Sequence, residues 1–306
     1  MIQVVYNGVD ITDSVSINRA YHDMYAEGRA DSLYIRFNDT AHIWDKWQPK
    51  PDDTISVVYG ASKTGRMYIT VTAPQNGLYE IQALSAPSQA FCRRYKAWTK
   101  VTLTQIAQEI AARHGLAYKN YGASDYLYEY ILQSNESDLT FLHRRCILES
   151  CAFLVYDGAL VLYSQSEMEN ASPLEVFTVS ADSDYQYCDK SSELYGSCRL
   201  ECGGYVGEYT VDAENDRVFI PPLLPAVGSS AEAIRFSRGL LRDANKNAYS
   251  GYIKSAIIPH YAAASVILIS NDRAPKWDGN AFLTHIRNIY SDGQSKIFFR
   301  KPLGGY

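Results

Sequence analysis

Long apolar runs are missing from this chain of 306 residues. The longest stretch near its C-terminus, YAAASVILI (Tyr261–Ile269), is far short of the ~20 residues that span a bilayer, so no membrane partner is expected. The opening MIQVVYNGVDI has no basic segment followed by a long apolar one, and no secretory signal is read there. Cysteine is sparse, at six residues, and without a signal these thiols are expected to be reduced. A basic excess is also missing. The formal net charge is −5, and even the most basic segment, 93–165, holds 8 Lys and Arg against 7 Asp and Glu. That balance argues against a dedicated binder of duplex DNA.

Chemical motifs are equally thin. GSSAEA, from Gly228, lacks the second glycine of a nucleophile elbow. CGGYVG, from Cys202, has no following helix, Lys or Ser/Thr to cradle a phosphate, and reads as a bulge or tight corner between strands. His143, Cys146 and Cys151 crowd into nine positions, but His-x2-Cys and Cys-x4-Cys do not make the paired knuckles of a structural zinc site. Cys198 and Cys202 fall in a strand pattern, about two pleats apart on one face. Cysteine behaves as a small hydrophobe when buried, and packed thiols are the expectation. Glu136, Asp138 and Glu149 flank one helix as ordinary dipole complements, with Glu149 placed to pair with Arg145 at i,i+4. No catalytic residue, metal or cofactor is expected.

Tyrosine, by contrast, is abundant: 25 residues against 10 Phe and 4 Trp. That richness suits β structure and amphipathic contact surfaces. Residues 1–92 read as short strands making a small barrel or sandwich. Asn7-Gly8 marks a hairpin, and Leu33, Ile35 and Phe37 alternate with polar neighbours. Residues 93–165 read as a small α+β unit. Thr102 and Gln105 form a capping box, Leu103, Ile106, Ile110 and Ala111 an apolar stripe, and Gly115 a C-terminal stop. A second helix, capped by Asn135 or Ser137, turns Leu139, Leu142 and Cys146 inward and Arg144 and Arg145 elsewhere, and then runs into a hairpin around Asp157-Gly158. Residues 166–306 read as a second β-rich block, interrupted by a helix at about 230–248 and closed by two strands around Asp292-Gly293. The fold class is α+β, mainly β.

Two basic rows stand out. Arg235, Arg238, Arg242 and Lys246 recur every three to four residues on the third helix, and CRRYKAWTK sets Arg93, Arg94, Lys96 and Lys100 beside Tyr95 and Trp98. Basic residues among aromatics can hold single strands. Arg, Tyr and Trp are also favoured interface anchors, and Tyr95, Trp98, Arg235, Arg238 and Arg242 are taken as subunit-contact candidates.

Three segments carry a resemblance: TLTQIAQEIAARHGL; QSNESDLTFLHRRCILESCAFLVYDGALVLY; and SSAEAIRFSRGLLRDANKNAYSG leading to WDGNAFLTHIRNIY. Together they resemble the late control protein D family, the baseplate hub proteins of contractile phage tails and related injection systems. His285 departs from the family pattern by preceding Ile286 and Asn288. The chain ends at Tyr306, where many relatives continue, so no appended cell-wall-cleaving domain is expected. The resemblance implies two tail-tube-like β-barrels separated by the α+β insert. It also implies a homotrimer that adapts a six-fold tail tube to a three-fold spike. The partners would be the tube, spike and baseplate wedge proteins, with DNA only as passing cargo. The place would be the virion tail baseplate, assembled in the host cytoplasm. Two other readings stay open: a tail-tip protein of a flexible-tailed phage, and a cysteine-dependent hydrolase using His143 and Cys146.

Overall fold

The computed structural model describes residues 2–180 and 183–306. Among the described residues, five α-helices punctuate a mainly β chain: α1 (Ile43–Trp47), α2 (Leu103–Arg113), α3 (Asp138–Leu148), α4 (Gln165–Glu169) and α5 (Ser230–Asn245). None is long and apolar enough to cross a membrane.

The dominant element is one sheet of 14 strands. Its path begins at Tyr185–Asp189 and crosses Tyr249–Ala256, Gln294–Arg300 and Gly279–Ile289. It continues through Ser16–Tyr25, Ser32–Asn38, Leu78–Leu84 and Met67–Gln75 to Thr54–Tyr59 and Ile2–Tyr6. The two β-rich blocks are therefore not separate barrels. Gly279–Ile289 pairs antiparallel with Ser16–Tyr25, with His285 opposite Tyr25 and Ile289 opposite Tyr21. Among the described residues no strand pairing closes either half. The physical reason is edge satisfaction: each block presents an open strand at this point, and pairing the two removes both edges at once.

One face of the sheet carries the cores. Leu33, Ile35 and Phe37 pack with Trp44 of α1 and Ile81 in the N-terminal half. Ile253, Leu283, Ile286, Ile297 and Phe299 do the same in the C-terminal half. The hairpins expected from sequence are present. Asn7 and Gly8 take φ +46° and +81°, and Asp157 and Gly158 take +46° and +73°, the left-handed pairs that a two-residue turn needs. CGGYVG is the turn of another hairpin, with Cys202 opposite Tyr205.

The middle of the chain packs α2 and α3 on a four-stranded sheet built around Cys151–Tyr156 and Ala159–Ser164. Arg29–Ala30 of the N-terminal block joins that sheet as a parallel edge. Thr102 and Gln105 make the reciprocal capping box, and Ser137 rather than Asn135 caps α3. Gly239 of α5 has a packing reason: a Cβ there would lie 2.3 Å from the Ile147 carbonyl oxygen, so only glycine lets α5 touch the end of α3.

Arg145 corrects the sequence reading. It is buried, with its guanidinium 4.5 Å from the Tyr128 ring centre and 5.1 Å from that of Phe236. Its expected partner Glu149 instead meets Arg235 at 2.7 Å.

Candidate interaction surfaces

The residues that looked like chemistry are packing residues. Cys146 and Cys151 are buried beneath α3 and its hairpin. Burial pushes the Cys146 thiol well above its ordinary value and Cys151 up to about 12, the opposite of what activates a nucleophile. His143 is half-buried, and its ring packs against Gly28, where a Cβ would come within 2.0 Å of Nδ1. Iodoacetamide is therefore expected to label exposed Cys92 in the native protein, and Cys146 and Cys151 only after unfolding, as mass spectrometry of quenched samples would show. Among the described residues, no group of three or more His, Cys, Asp or Glu side chains could hold a metal ion.

The arginine row on α5 divides into three environments. Arg242 is only 1% exposed. Its guanidinium pairs with Glu169 at 2.7 Å, and Nε donates to Gln165 at 2.9 Å. Arg300 reaches Glu169 at 2.6 Å and Glu27 at 3.0 Å, and Lys246 meets Glu27 at 2.6 Å. The chain end joins this cluster. The Leu303 N–H donates to Glu169 at 2.8 Å, and Asn245 donates to the Tyr306 hydroxyl at 2.6 Å. Burial alone would raise the Glu27 carboxyl, but Lys246 and Arg300 outweigh it and hold it down to about 2. Arg235 is clamped by Glu149 and lies 4.1 Å from the Tyr126 ring centre. Arg238 is exposed, over Tyr209.

Tyr95 and Trp98 lie on one two-stranded ribbon, Arg93–Val101 with Tyr128–Ser137, but in opposite environments, with Tyr95 out of register at a bulge. Trp98 is 3% exposed and stacks on Phe141 at 5.9 Å, with the Lys96 ammonium 3.6 Å from its ring centre. Tyr95 is 72% exposed, and Tyr130 and Leu132 of the partner strand are exposed as well. Neither long edge of the ribbon has a strand partner among the described residues. A groove of about 480 Å³ runs between Leu127–Leu132 and the start of α5, with Arg235 in its wall.

Beneath the ribbon, Asp138 ties the unit together. It accepts from Arg113 and His114, both at 2.8 Å, and from Gln133 at 2.9 Å, with Arg94 at 3.3 Å. Burial pushes its carboxyl up, but the hydrogen bonds from His114, Gln133 and Arg113 prevail and bring it down to about 2. A carboxyl depressed in the folded state stabilises fully above its unfolded value, near 3.9, and loses that contribution as pH falls through the folded value. Asp138→Asn is expected to cost on the order of 2 kcal/mol at neutral pH. The gap to the parent should close as pH drops from about 5 toward 2, which urea unfolding at several pH values would measure.

A surface the sequence did not reveal lies on the outer face of the large sheet. Cross-strand register sets Tyr252, Phe298, His285 and Tyr25 side by side, and Lys254, Lys296, Arg287 and Asp23 in the next row. Tyr21 faces Tyr34, and Arg19 faces Arg36. The rings stack laterally: Tyr25 on His285 and His285 on Phe298, each at 4.7 Å, and Tyr21 on Tyr34 at 4.8 Å. Cations cap them. Lys296 lies 3.7 Å from the Tyr252 ring centre, Arg287 5.0 Å from that of Tyr21, and Arg29 5.5 Å from that of Tyr25. Asp23 anchors the rows, bonded to His285 at 2.6 Å and to Arg287 at 2.7 and 3.0 Å. The face crosses the junction of the two β-rich blocks without a break.

No protein-family model matches this chain, and no curated protein matches it. Solved structures do. The 43 kDa tail protein of prophage MuSo2 from Shewanella oneidensis superposes with a TM-score of 0.76, over 98% of both chains at 14% identity. The tail protein of Neisseria meningitidis MC58 gives 0.73, over 98% of this chain and 95% of that one at 13% identity. The E. coli c3393 protein gives 0.61, over 95% of this chain and 75% of that one at 13% identity. It is a component of the type VI secretion system with structural similarity to the T4 tail proteins gp27 and gp5. The chain thus has the fold of phage tail and type VI secretion proteins.

Proposed function

We propose that this chain is a structural, non-enzymatic subunit of a phage tail or tail-like particle, and that it acts as the baseplate hub. Three copies would form a ring that adapts the six-fold tail tube to the three-fold spike, with wedge proteins outside and DNA passing through. Its place would be the virion tail baseplate, reached after assembly in the bacterial host cytoplasm. The observation that carries the reading is the match over 98% of both chains to a tail protein at only 14% identity: the whole architecture is shared, not one module. The open ribbon with Tyr95, Tyr130 and Leu132, and the solvent-facing aromatic rows on the sheet, supply the wide contact surface a ring subunit needs. Tyr95 and Arg238 are the sequence candidates exposed to meet a partner, while Arg235 lines the groove along Leu127–Leu132.

Native mass spectrometry and sedimentation velocity at micromolar concentration test this. A trimer is expected, with three-fold symmetric rings in electron micrographs. A chain that stays monomeric up to the highest soluble concentration overturns the ring.

A further inference from the structure

We propose that the cation–aromatic face of the large sheet is the seat for an acidic, apolar lobe of a neighbouring copy, residues 197–225. This assignment rests on the ring reading above and names the two surfaces that would meet.

The face is positive in a chain that is negative overall. Six cations, Arg19, Arg29, Arg36, Lys254, Arg287 and Lys296, stand against three carboxylates, Asp23, Glu80 and Asp184. Among the described residues Arg19, Arg29 and Lys296 have no carboxylate partner, while the other three are paired. Each free cation is held over a ring, so little side-chain freedom remains to be lost on binding.

The lobe has the complementary character. It comprises the strands Ser197–Cys202, Tyr205–Thr210 and Val218–Phe219 with the arm that follows. It holds five carboxylates against two arginines. Glu208, Asp212, Glu214 and Asp216 are exposed and have no cationic partner among the described residues. Beyond these carboxylates, Ile220 is 71% and Leu223 85% exposed, in an arm stiffened by Pro221, Pro222 and Pro225. Exposed apolar groups in such number mark a surface built to be covered.

The ring geometry of the face decides the class of partner. Its aromatic faces are already filled by neighbouring rings and by cations. Little open π-face is left on which a nucleobase could stack, as single-strand binders require. What the surface offers outward is fixed cations, ring edges and phenol hydroxyls. That combination suits carboxylates interspersed with aliphatic groups, which is the composition of the lobe. Because the two surfaces are different parts of one chain, docking one onto the other in a second copy is heterologous. Such contacts terminate only by closing into a ring.

The test reverses charge on each surface and then on both. One variant carries Arg19→Glu and Lys296→Glu, and another carries Glu208→Lys and Glu214→Lys, with folding checked by circular dichroism and thermal melts. The lobe variant changes only exposed side chains, so it reports even if the face variant folds poorly. Each is expected to weaken the oligomer about ten-fold or more in sedimentation velocity, and the chain carrying all four changes is expected to regain it. An oligomer that neither variant disturbs overturns the surface assignment and leaves the ring standing. A parent chain that is monomeric overturns the ring itself. Loss without recovery in the four-fold variant overturns the pairing of these two surfaces. An intact oligomer whose face binds an oligonucleotide, with binding abolished by Arg19→Glu and Lys296→Glu, reassigns the face to nucleic acid.

Discussion

Arg300→Met is expected to destabilise the fold by about 3–5 kcal/mol, because it leaves buried carboxylates without one of their counter-charges. Arg300 is fully buried at the end of the last strand and serves Glu169 and Glu27 together. Glu169 would keep Arg242 and the Leu303 N–H, and Glu27 would keep Lys246, but neither carboxylate would be fully matched. Those partners belong to α4, α5, the last strand and the turn after Ser16–Tyr25, so the loss would be felt across the molecule. Urea unfolding of the parent and the variant measures it. Adding Glu27→Gln to Arg300→Met should recover part of the loss, since the stranded charge is then gone. A cost below about 1 kcal/mol would mean that the cluster is solvated enough to tolerate a missing cation.

Trp98→Ala is expected to cost about 3–5 kcal/mol in the isolated chain, as for other large aromatics removed from a core. The indole is packed on Phe141 and beside Ile131 of the ribbon, within the same cluster as α2 and α3. Tyr95→Ala, three residues away, should change the stability of the isolated chain by no more than about 0.5 kcal/mol. In the proposed ring its effect would fall on assembly. Thermal unfolding of the two variants under conditions that keep the chain monomeric separates the roles. If Trp98→Ala were as benign as Tyr95→Ala, the indole would be a contact residue awaiting a partner.

The contrast between these neighbours shows where the sequence was readable. Local signals transferred directly. Asn7-Gly8 and Asp157-Gly158 demanded left-handed turns, Thr102 with Gln105 demanded a helix start, and Leu33, Ile35 and Phe37 demanded a buried strand face. Each depends only on residues a few positions apart. The fate of Arg242 does not. Helical spacing placed it in one stripe with Arg235 and Arg238, but its burial is set by Glu169 and Gln165, more than seventy positions earlier. The Arg145–Glu149 pair failed for a similar reason, because Arg235 arrived from a distant helix with better geometry. Many strands were legible one by one, but Ser16–Tyr25 and Tyr249–Ala256 carry no clean alternation and no strand named its partner, so one sheet read as two barrels. The cation–aromatic rows were invisible because no two members of a row are near each other in sequence; only the register of Tyr252, Phe298, His285 and Tyr25 assembles them.

The pairing of Ser16–Tyr25 with Gly279–Ile289 also orders events on the ribosome. Asp23 and His285 are 262 positions apart. At about 5–20 residues per second of synthesis, the N-terminal strand emerges roughly 10–50 s before its partner exists. For that interval it presents a row of unsatisfied backbone groups to every other nascent chain nearby, a template for adhesion. The protein is therefore exposed to misassembly from the first twenty-five residues until nearly the last. Holding factors would act on that strand, and chains arrested before Gly279 would be the species that stick together.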